Sequence, residues 1–322
     1  MRTSVGDSTV IDFAGGTVGG AGRFRGQYLA LEEHGKLPPN VPIGFDEYVT
    51  PSWLVRRELV ARGAAKVVAA NNVGTLTAGK ERWTLLRNAN HFLSDEEWAA
   101  SRQHFSPKFR AQIPIVRAAL LRSDLLVVPS QSMAERVLRV HPKLHDRVVV
   151  RFHPLLQPPR RRPTGEGRKV ILCPVVPSPY KDLDTHLTAI ARALSGREDI
   201  EVVMTMSPAD APPKLRERKL FRFCGVLPRE DLEEIYSTCA AVYYPTLVES
   251  FGYPLAEARA AGIPVIAQDI AHNRDIAGGA LFGFQYADDE SLADAVDRAL
   301  DTDLIADPAP FDPESYFKWL LD

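Results

Sequence analysis

Glu249 and Glu257, with seven residues between them, bracket the string Ser250-Phe251-Gly252-Tyr253-Pro254-Leu255-Ala256. Pro254 suits the first turn of a helix, where no amide hydrogen bond is lost, and Gly262 suits the left-handed residue just past the helix end. A helix begun there leaves amides unpaired and carries partial positive charge, so the turn from Gly252 to Ala256 is a seat for an anion such as a diphosphate. Carboxylates accept hydrogen bonds from hydroxyls. Two acids beside a phosphate seat therefore suit a ligand that joins phosphate to polyols, as a nucleotide sugar does. Each acid also has a plainer reading, Glu257 as a complement to the helix dipole and Glu249 as a solvated loop acid.

Three other stretches could contribute chemistry. Lys181, in Pro177-Ser178-Pro179-Tyr180-Lys181-Asp182, stands between an expected strand and helix, either to reach a phosphate as a point charge or as a surface lysine at a helix start. Gly15-Gly16-Thr17-Val18-Gly19-Gly20-Ala21-Gly22-Arg23 follows the strand Thr9 to Phe13 and allows close backbone approach to a ligand. A dinucleotide loop needs Gly-Xaa-Gly-Xaa-Xaa-Gly in register and a ribose-binding acid after the second strand, and neither is convincing here; a plain glycine turn stays open. Asn88, Asn90 and His91 follow a strand beginning at Trp83, where open parallel sheets gather ligands.

The string from Glu249 to Ala258, followed by Gly262-Ile263-Pro264-Val265-Ile266, closely resembles the nucleotide-sugar motif of family 4 glycosyltransferases, retaining enzymes of the GT-B fold. The resemblance runs from about Lys169 to Leu300 and, more weakly, over most of the first half. It implies that Glu257 holds the donor ribose hydroxyls and that Glu249 sits by the donor sugar and the reaction centre. Ser250 belongs to the implied donor set, and the amides of Phe251, Gly252, Leu255 and Ala256 would meet sugar and diphosphate. Lys181 is similar to the family lysine that binds the diphosphate. Gly19, Gly20 and Arg23 resemble the Gly-Gly loop that closes over it. His91 corresponds to a residue set against the donor sugar, or is a histidine packed on Phe92 for structural reasons. The sequence departs from the family where an arginine usually precedes the lysine: Val175 or Ser178 stands there, which puts catalytic competence in doubt unless Arg23 compensates.

These residues need two sheets to position them. With 322 residues and 45 % hydrophobic content the chain is long enough for two cores. Residues 1 to 152 hold 21 Lys and Arg against 14 Asp and Glu, and residues 153 to 322 hold 18 against 27, so the halves carry +7 and −9. In the first half, strands are expected at Thr9 to Phe13, Lys66 to Ala70, Trp83 to Asn88, Leu125 to Pro129 and Arg147 to Arg151, among six in all. Helices follow Phe24, run from Pro51 to Gly63 and from Lys108 to Ser123, and start at capping boxes Ser94/Glu97 and Ser132/Glu135. The proline- and arginine-rich stretch from His153 to Gly165, with Arg160-Arg161-Arg162, reads as a linker. Beyond it strands are expected at Lys169 to Val175, Glu201 to Met206 and Phe221 to Cys224. Helices there are Asp182 to Ser195, Leu232 to Cys239, Ser291 to Leu300 and Pro313 to Leu321.

The expected fold class is α/β, in the GT-B architecture of two doubly wound Rossmann-like domains facing a cleft. An acceptor-side domain (1–152), a linker (153–168), a donor domain (169–305) and a C-terminal segment returning to the first domain (306–322) make up the chain. The implied activity is retaining, hexosyl-type transfer from a nucleotide-diphosphate sugar to a small-molecule, glycan or lipid-linked acceptor. The alternatives are a nucleotide-sugar epimerase of the same fold and a catalytically weakened sugar-nucleotide-binding subunit. No cofactor and no metal are expected: no Asp-Xaa-Asp pair is placed to hold a cation, and Asp288-Asp289 reads as a helix cap. No basic stripe interleaved with aromatics supports nucleic-acid binding, and peripheral membrane contact has no sequence support. Cys173, Cys224 and Cys239 lack metal-ligand spacing, and no apolar run approaches the roughly 18 residues of a membrane span; a cytoplasmic home is expected.

Overall fold

The computed structural model of the chain describes residues 8–16, 19–156, 167–178, 181–246 and 248–322. The arginine triplet and most of the expected linker lie outside them, as do Thr17, Val18, Pro179 and Tyr180. The chain forms two compact units, Met1–Leu156 with Phe311–Asp322 and Gln157–Pro310.

The first unit alternates β1 (Thr9–Asp12), α1 (Gly19–Glu33), β2 (Asn40–Ile43), α2 (Pro51–Val60), β3 (Lys66–Ala69) and β4 (Glu81–Leu85), then α3 (Asp95–Ser101), α4 (Pro107–Ala119), β5 (Leu125–Val128), α5 (Gln131–Val140) and β6 (Val148–Val150). All six strands are parallel, in the order β2-β1-β3-β4-β5-β6, so the order reverses between β1 and β3. Strand β2, which hydrophobic patterning leaves unmarked, carries Pro42. The missing amide is tolerated because β2 is an edge strand paired only with β1. Ser94 and Glu97 make the expected capping box, and Glu97 also takes two 2.6 Å hydrogen bonds from Arg136 of α5. The second box is corrected: Ser130, not Ser132, caps α5, its hydroxyl accepting from the Met133 amide. Ser132 already lies inside the helix. Strand β4 runs from Glu81 to Leu85, starting before the expected Trp83 and stopping short of the expected Asn88, and residues Ala89–Phe92 form a 3-10 turn.

The second unit contains β7 (Lys169–Cys173), α6 (Leu183–Ala193), β8 (Ile200–Met204), β9 (Phe221–Phe223), α7 (Arg229–Thr238), β10 (Ala241–Tyr244), α8 (Tyr253–Ala261), β11 (Val265–Gln268), α9 (Ala271–Ala277), β12 (Leu281–Phe284) and α10 (Asp289–Leu300). Its sheet, again parallel throughout, runs β12-β11-β10-β7-β8-β9. This doubly wound order reverses between β7 and β10, and a crevice outside the carboxyl ends of those two strands is where such sheets bind ligands. Leu183, Leu187, Ile190 and Leu194, spaced for one helical face, pack with Ile171, Val202 and Tyr243 in its core.

The last helix, α11 (Pro313–Leu321), packs into the first unit. Tyr316, Phe317, Leu320 and Leu321 join Phe24, Tyr28 and Leu31 of α1 in one core cluster. The Phe317 ring lies 5.2 Å from Phe24 and 5.7 Å from Tyr28, centroid to centroid.

Candidate functional site

At the switch point of the second sheet, the segments after β7 and β10 bring Lys181 and Glu249 together. The Lys181 ammonium lies 3.1 Å from Glu249 Oε1, with the lysine side chain 13 % and the glutamate 30 % exposed. The Lys181 amide donates to the carbonyl of Ser178, and Asp182 takes a left-handed conformation (φ 43°) before α6 begins. Thr205, just past β8, fixes the same segment: its hydroxyl accepts from the Val175 amide at 2.8 Å and donates to the Val175 carbonyl at 3.0 Å. Tyr243 of β10 donates to the His186 carbonyl of α6 at 3.1 Å, tying the strand to the helix that follows Lys181.

Helix α8 begins beside this pair. Gly252 precedes it at φ 82°, and a methyl group there would sit 2.9 Å from the Tyr244 hydroxyl, so both backbone and space require glycine. Pro254 occupies the first turn. Gly262 ends the helix at φ 69°, with Ile263 N donating to the Ala258 carbonyl at 2.8 Å, and a Cβ on it would strike the Leu304 carbonyl. Of the amides expected to meet a ligand, Leu255 N and Ala256 N close on the Gly252 carbonyl at 3.0 and 3.4 Å. Phe251 is buried, its ring edge-on to Tyr253 at 5.1 Å. Glu257 is half-buried in the second turn, not the first, so a role in offsetting the helix dipole fits it poorly. The buried Tyr244 phenol is pushed well above its usual pKa by burial and by the Glu249 carboxylate, which keeps it neutral.

The residue expected as a cation before Lys181 is absent from both positions: Val175 is 2 % exposed and Ser178 is half-buried. A cavity of about 530 Å³ beside the segment is lined by Pro177, Ser178, Asp182, Leu183, Asp184 and Asp210. Its three carboxylates suit hydroxyls better than phosphate. Asp288 caps α10 by accepting from Ser291 N at 2.9 Å, and Asp289 pairs with Arg192, as a helix start would use them.

Within the first unit, Gly19 and Gly20 are corrected from loop to helix. They open α1, and Arg23 is half-buried within its second turn. Gly19, with φ 61°, takes the left-handed conformation that glycine adopts without strain. His91 is 4 % exposed in the 3-10 turn after β4. Its ring stacks on Phe109 at 5.1 Å and meets Phe92 edge-on at 6.4 Å, and among the described residues neither ring nitrogen has a hydrogen-bond partner. Burial and the Arg117 guanidinium push its pKa down to about 4, so the ring is neutral at pH 7.

A buried ion pair at the β1/β3 switch point has no counterpart among the sequence candidates. Asp12, fully buried at the end of β1, accepts from Arg57 Nη1 at 2.9 Å, Asn71 Nδ2 at 2.7 Å, Trp53 Nε1 at 3.2 Å and the Ala14 amide at 2.9 Å. Arg57 also donates to the Gly74 carbonyl at 2.7 Å. The signal available was an acid alternating into the inner face of a strand, and nothing in its spacing to Arg57 or Asn71 announces the contact.

Residues 168–302 match the family model of the group 1 glycosyl transferases. O-antigen chain mannosyltransferase B of Escherichia coli is 34 % identical over 59 residues, which span 18 % of this chain and 16 % of that protein. Two solved structures share the fold at low identity. WaaG, a glycosyltransferase involved in lipopolysaccharide biosynthesis, superposes with a TM-score of 0.61 at 15 % identity, covering 97 % of this chain and 94 % of WaaG. Sucrose-phosphate synthase from Thermosynechococcus elongatus does so with a TM-score of 0.63 at 14 % identity, covering 98 % and 94 %. With two parallel doubly wound sheets, the chain has the GT-B fold, and residues 168–302, which form most of its second unit, are similar to the group 1 glycosyl transferases.

Proposed function

We propose that the chain transfers a sugar from a nucleotide-diphosphate donor to a hydroxyl acceptor with retention at the anomeric carbon. The observation that carries this reading is the contact of Lys181 with Glu249 across the β7/β10 switch point, at the entrance to the helix that bears Glu257. Lys181 offers the cation for the diphosphate, Glu257 accepts from the ribose hydroxyls, and Glu249 faces charge that develops as the glycosidic bond loosens. In the absence of ligand Glu249 holds Lys181 in place; an incoming diphosphate competes for that ammonium. The donor chemistry needs no metal in this reading, and a chelator should leave turnover unchanged.

Product analysis tests the proposal. Incubated with a panel of nucleotide sugars and simple hydroxyl acceptors, the protein should release nucleoside diphosphate from one of them, with the sugar appearing in product or hydrolysate in its original anomeric configuration. Inversion, or epimerised donor without acceptor, would reject it. The burial of Val175 where the family places an arginine favours one second reading, a subunit that binds the donor and turns it over weakly. Donor uptake without measurable hydrolysis or transfer is its signature.

A further inference from the structure

The second half of the chain is acidic as a whole, residues 153 to 322 carrying −9, yet one stretch of it is basic. From Pro212 to Arg222 there are five Lys and Arg against one acid, Glu217. This stretch leads into β9. It therefore lies with the residues just before β7 and β8, at the amino ends of three neighbouring parallel strands. Lys181 and Glu249 follow the carboxyl ends of β7 and β10, on the opposite edge of the sheet.

Two cavities adjoin at this amino edge and share Ala191 and Arg218. One, of about 490 Å³, is lined by Arg168, Arg197, Arg218 and Lys219 with the last turn of α6, and Glu198 is the one acid in its lining. The other, of about 340 Å³, has walls of Ala191, Pro212, Pro213 and Leu215. Both volumes are of the size that holds a small ligand.

Salt bridges neutralise part of the charge here. Arg197 pairs with Asp199 and Asp297, and Arg192 with Asp289. Arg168, Arg218 and Lys219 are exposed and, among the described residues, pair with no acid. The two arginines are fixed by neutral carbonyls instead. Arg168 Nη2 donates to the carbonyls of Ile200 at 2.5 Å and Lys219 at 3.3 Å, and Arg218 Nη1 donates to the Ala191 carbonyl at 2.9 Å. A guanidinium has five N–H donors, so each arginine keeps Nε and one terminal nitrogen for an oxyanion while its position is already set. The carbonyls at the end of α6, which would repel an anion, are taken: those of Ile190, Arg192 and Leu194 accept from the amides of Leu194, Ser195 and Arg197, and that of Ala191 from Arg218. Fixed cations whose charge is not cancelled, next to a wall of proline and leucine, complement an anion that carries an apolar body.

We propose that the joined cavities bind a phosphate monoester of an apolar group. The phosphate sits among Arg168, Arg218 and Lys219, and the apolar body lies against Pro212, Pro213 and Leu215. This site is separate from the crevice of Lys181 and Glu249 and does not depend on the transfer reading, since binding is measured without donor or turnover.

Titration calorimetry of the full chain with phenyl phosphate, inorganic phosphate and phenol tests it. Phenyl phosphate should bind about tenfold more tightly than inorganic phosphate, because the ring leaves water, and phenol should not bind measurably. The double variant Arg168→Gln, Arg218→Gln should weaken phenyl phosphate by about tenfold or more, since each arginine supplies charge-assisted hydrogen bonds. Lys219→Gln should weaken it severalfold with the melting temperature unchanged, because that exposed side chain has no partner to lose among the described residues. Lys181→Ala should leave it unchanged. No binding of phenyl phosphate overturns the proposal, as does equal binding of inorganic phosphate. Binding lost in Lys181→Ala but kept in Lys219→Gln would place the ligand in the crevice at the carboxyl edge and reject this site.

Discussion

Glu249 and Glu257 divide their work by position. Glu257, half-buried on α8, should act in binding: Glu257→Gln leaves donor hydroxyls poorly matched, costs on the order of 1–3 kcal/mol, and should raise KM with little change in kcat. Glu249→Gln should lower kcat more than donor affinity, because its charge counts most where positive charge develops. The ion pair sharpens the contrast, since that substitution also frees Lys181 for the diphosphate and so preserves or improves donor affinity. Lys181→Ala should damage both parameters. Steady-state kinetics on the three variants would check this, and equal behaviour of Glu249→Gln and Glu257→Gln would refute the division. Gly252→Ala should cost about 1–3 kcal/mol in strain at φ 82° with the Tyr244 hydroxyl in its path, and should weaken donor binding along with the melting temperature.

Elements were legible where a local signal fixed them. The Ser94/Glu97 box, Pro254 and Gly262 around α8, and the apolar face of α6 are short-range chemistry and needed no tertiary information. Strand β2 was hidden because Pro42 argues against a strand unless its edge position is known, and edge position is a property of the sheet. The short α9 and the strand β12 went unmarked for a similar reason: seven residues of helix and a strand containing Gly283 give little periodicity. Lys181 and Glu249 were each legible as candidates, yet their contact was not, since β7 and β10 become neighbours only through the crossover. Asp12 with Arg57 escaped notice because its partners come from helix α2 and from the segment after β3, distant in sequence. Asp12→Asn should therefore be costly. It leaves the Arg57 guanidinium, 2 % exposed, without its counter-charge, and the first unit should lose about 3–5 kcal/mol in a urea melt. Phe317→Ala, which empties the contact of α11 with α1, should cost about 3–5 kcal/mol by the same measurement. A loss below about 1 kcal/mol in either would contradict the packing described.

At the scale of the whole molecule, three of the buried histidines, His91, His153 and His186, contribute to the response to acid. Burial holds His91 near pKa 4 and pushes His153 and His186 below the usual 6.5, with nearby Arg117 and Arg87 adding to the effect at His91 and His153. The unfolded chain therefore takes up these protons first. The contribution of these histidines should be complete above about pH 6.5 and fall below it, with His91 losing ~1.4 kcal/mol per unit as pH drops toward 4. Urea midpoints between about pH 7 and 5 should decline on that account, and a flat profile would mean the rings are solvated. Similarity to the group 1 glycosyl transferases over 168–302 and two doubly wound sheets give the frame, but the central claim is that a nucleotide sugar is held where Lys181 meets Glu249, next to Glu257. Titration calorimetry of the full chain and of Lys181→Ala and Glu257→Gln with a panel of nucleotide-diphosphate sugars tests it most directly. The account predicts that at least one nucleotide sugar binds and that each substitution weakens it by about tenfold or more, a loss of ~1.4 kcal/mol; binding that both variants leave intact, or no binding by the folded wild type to any member of the panel, would contradict it.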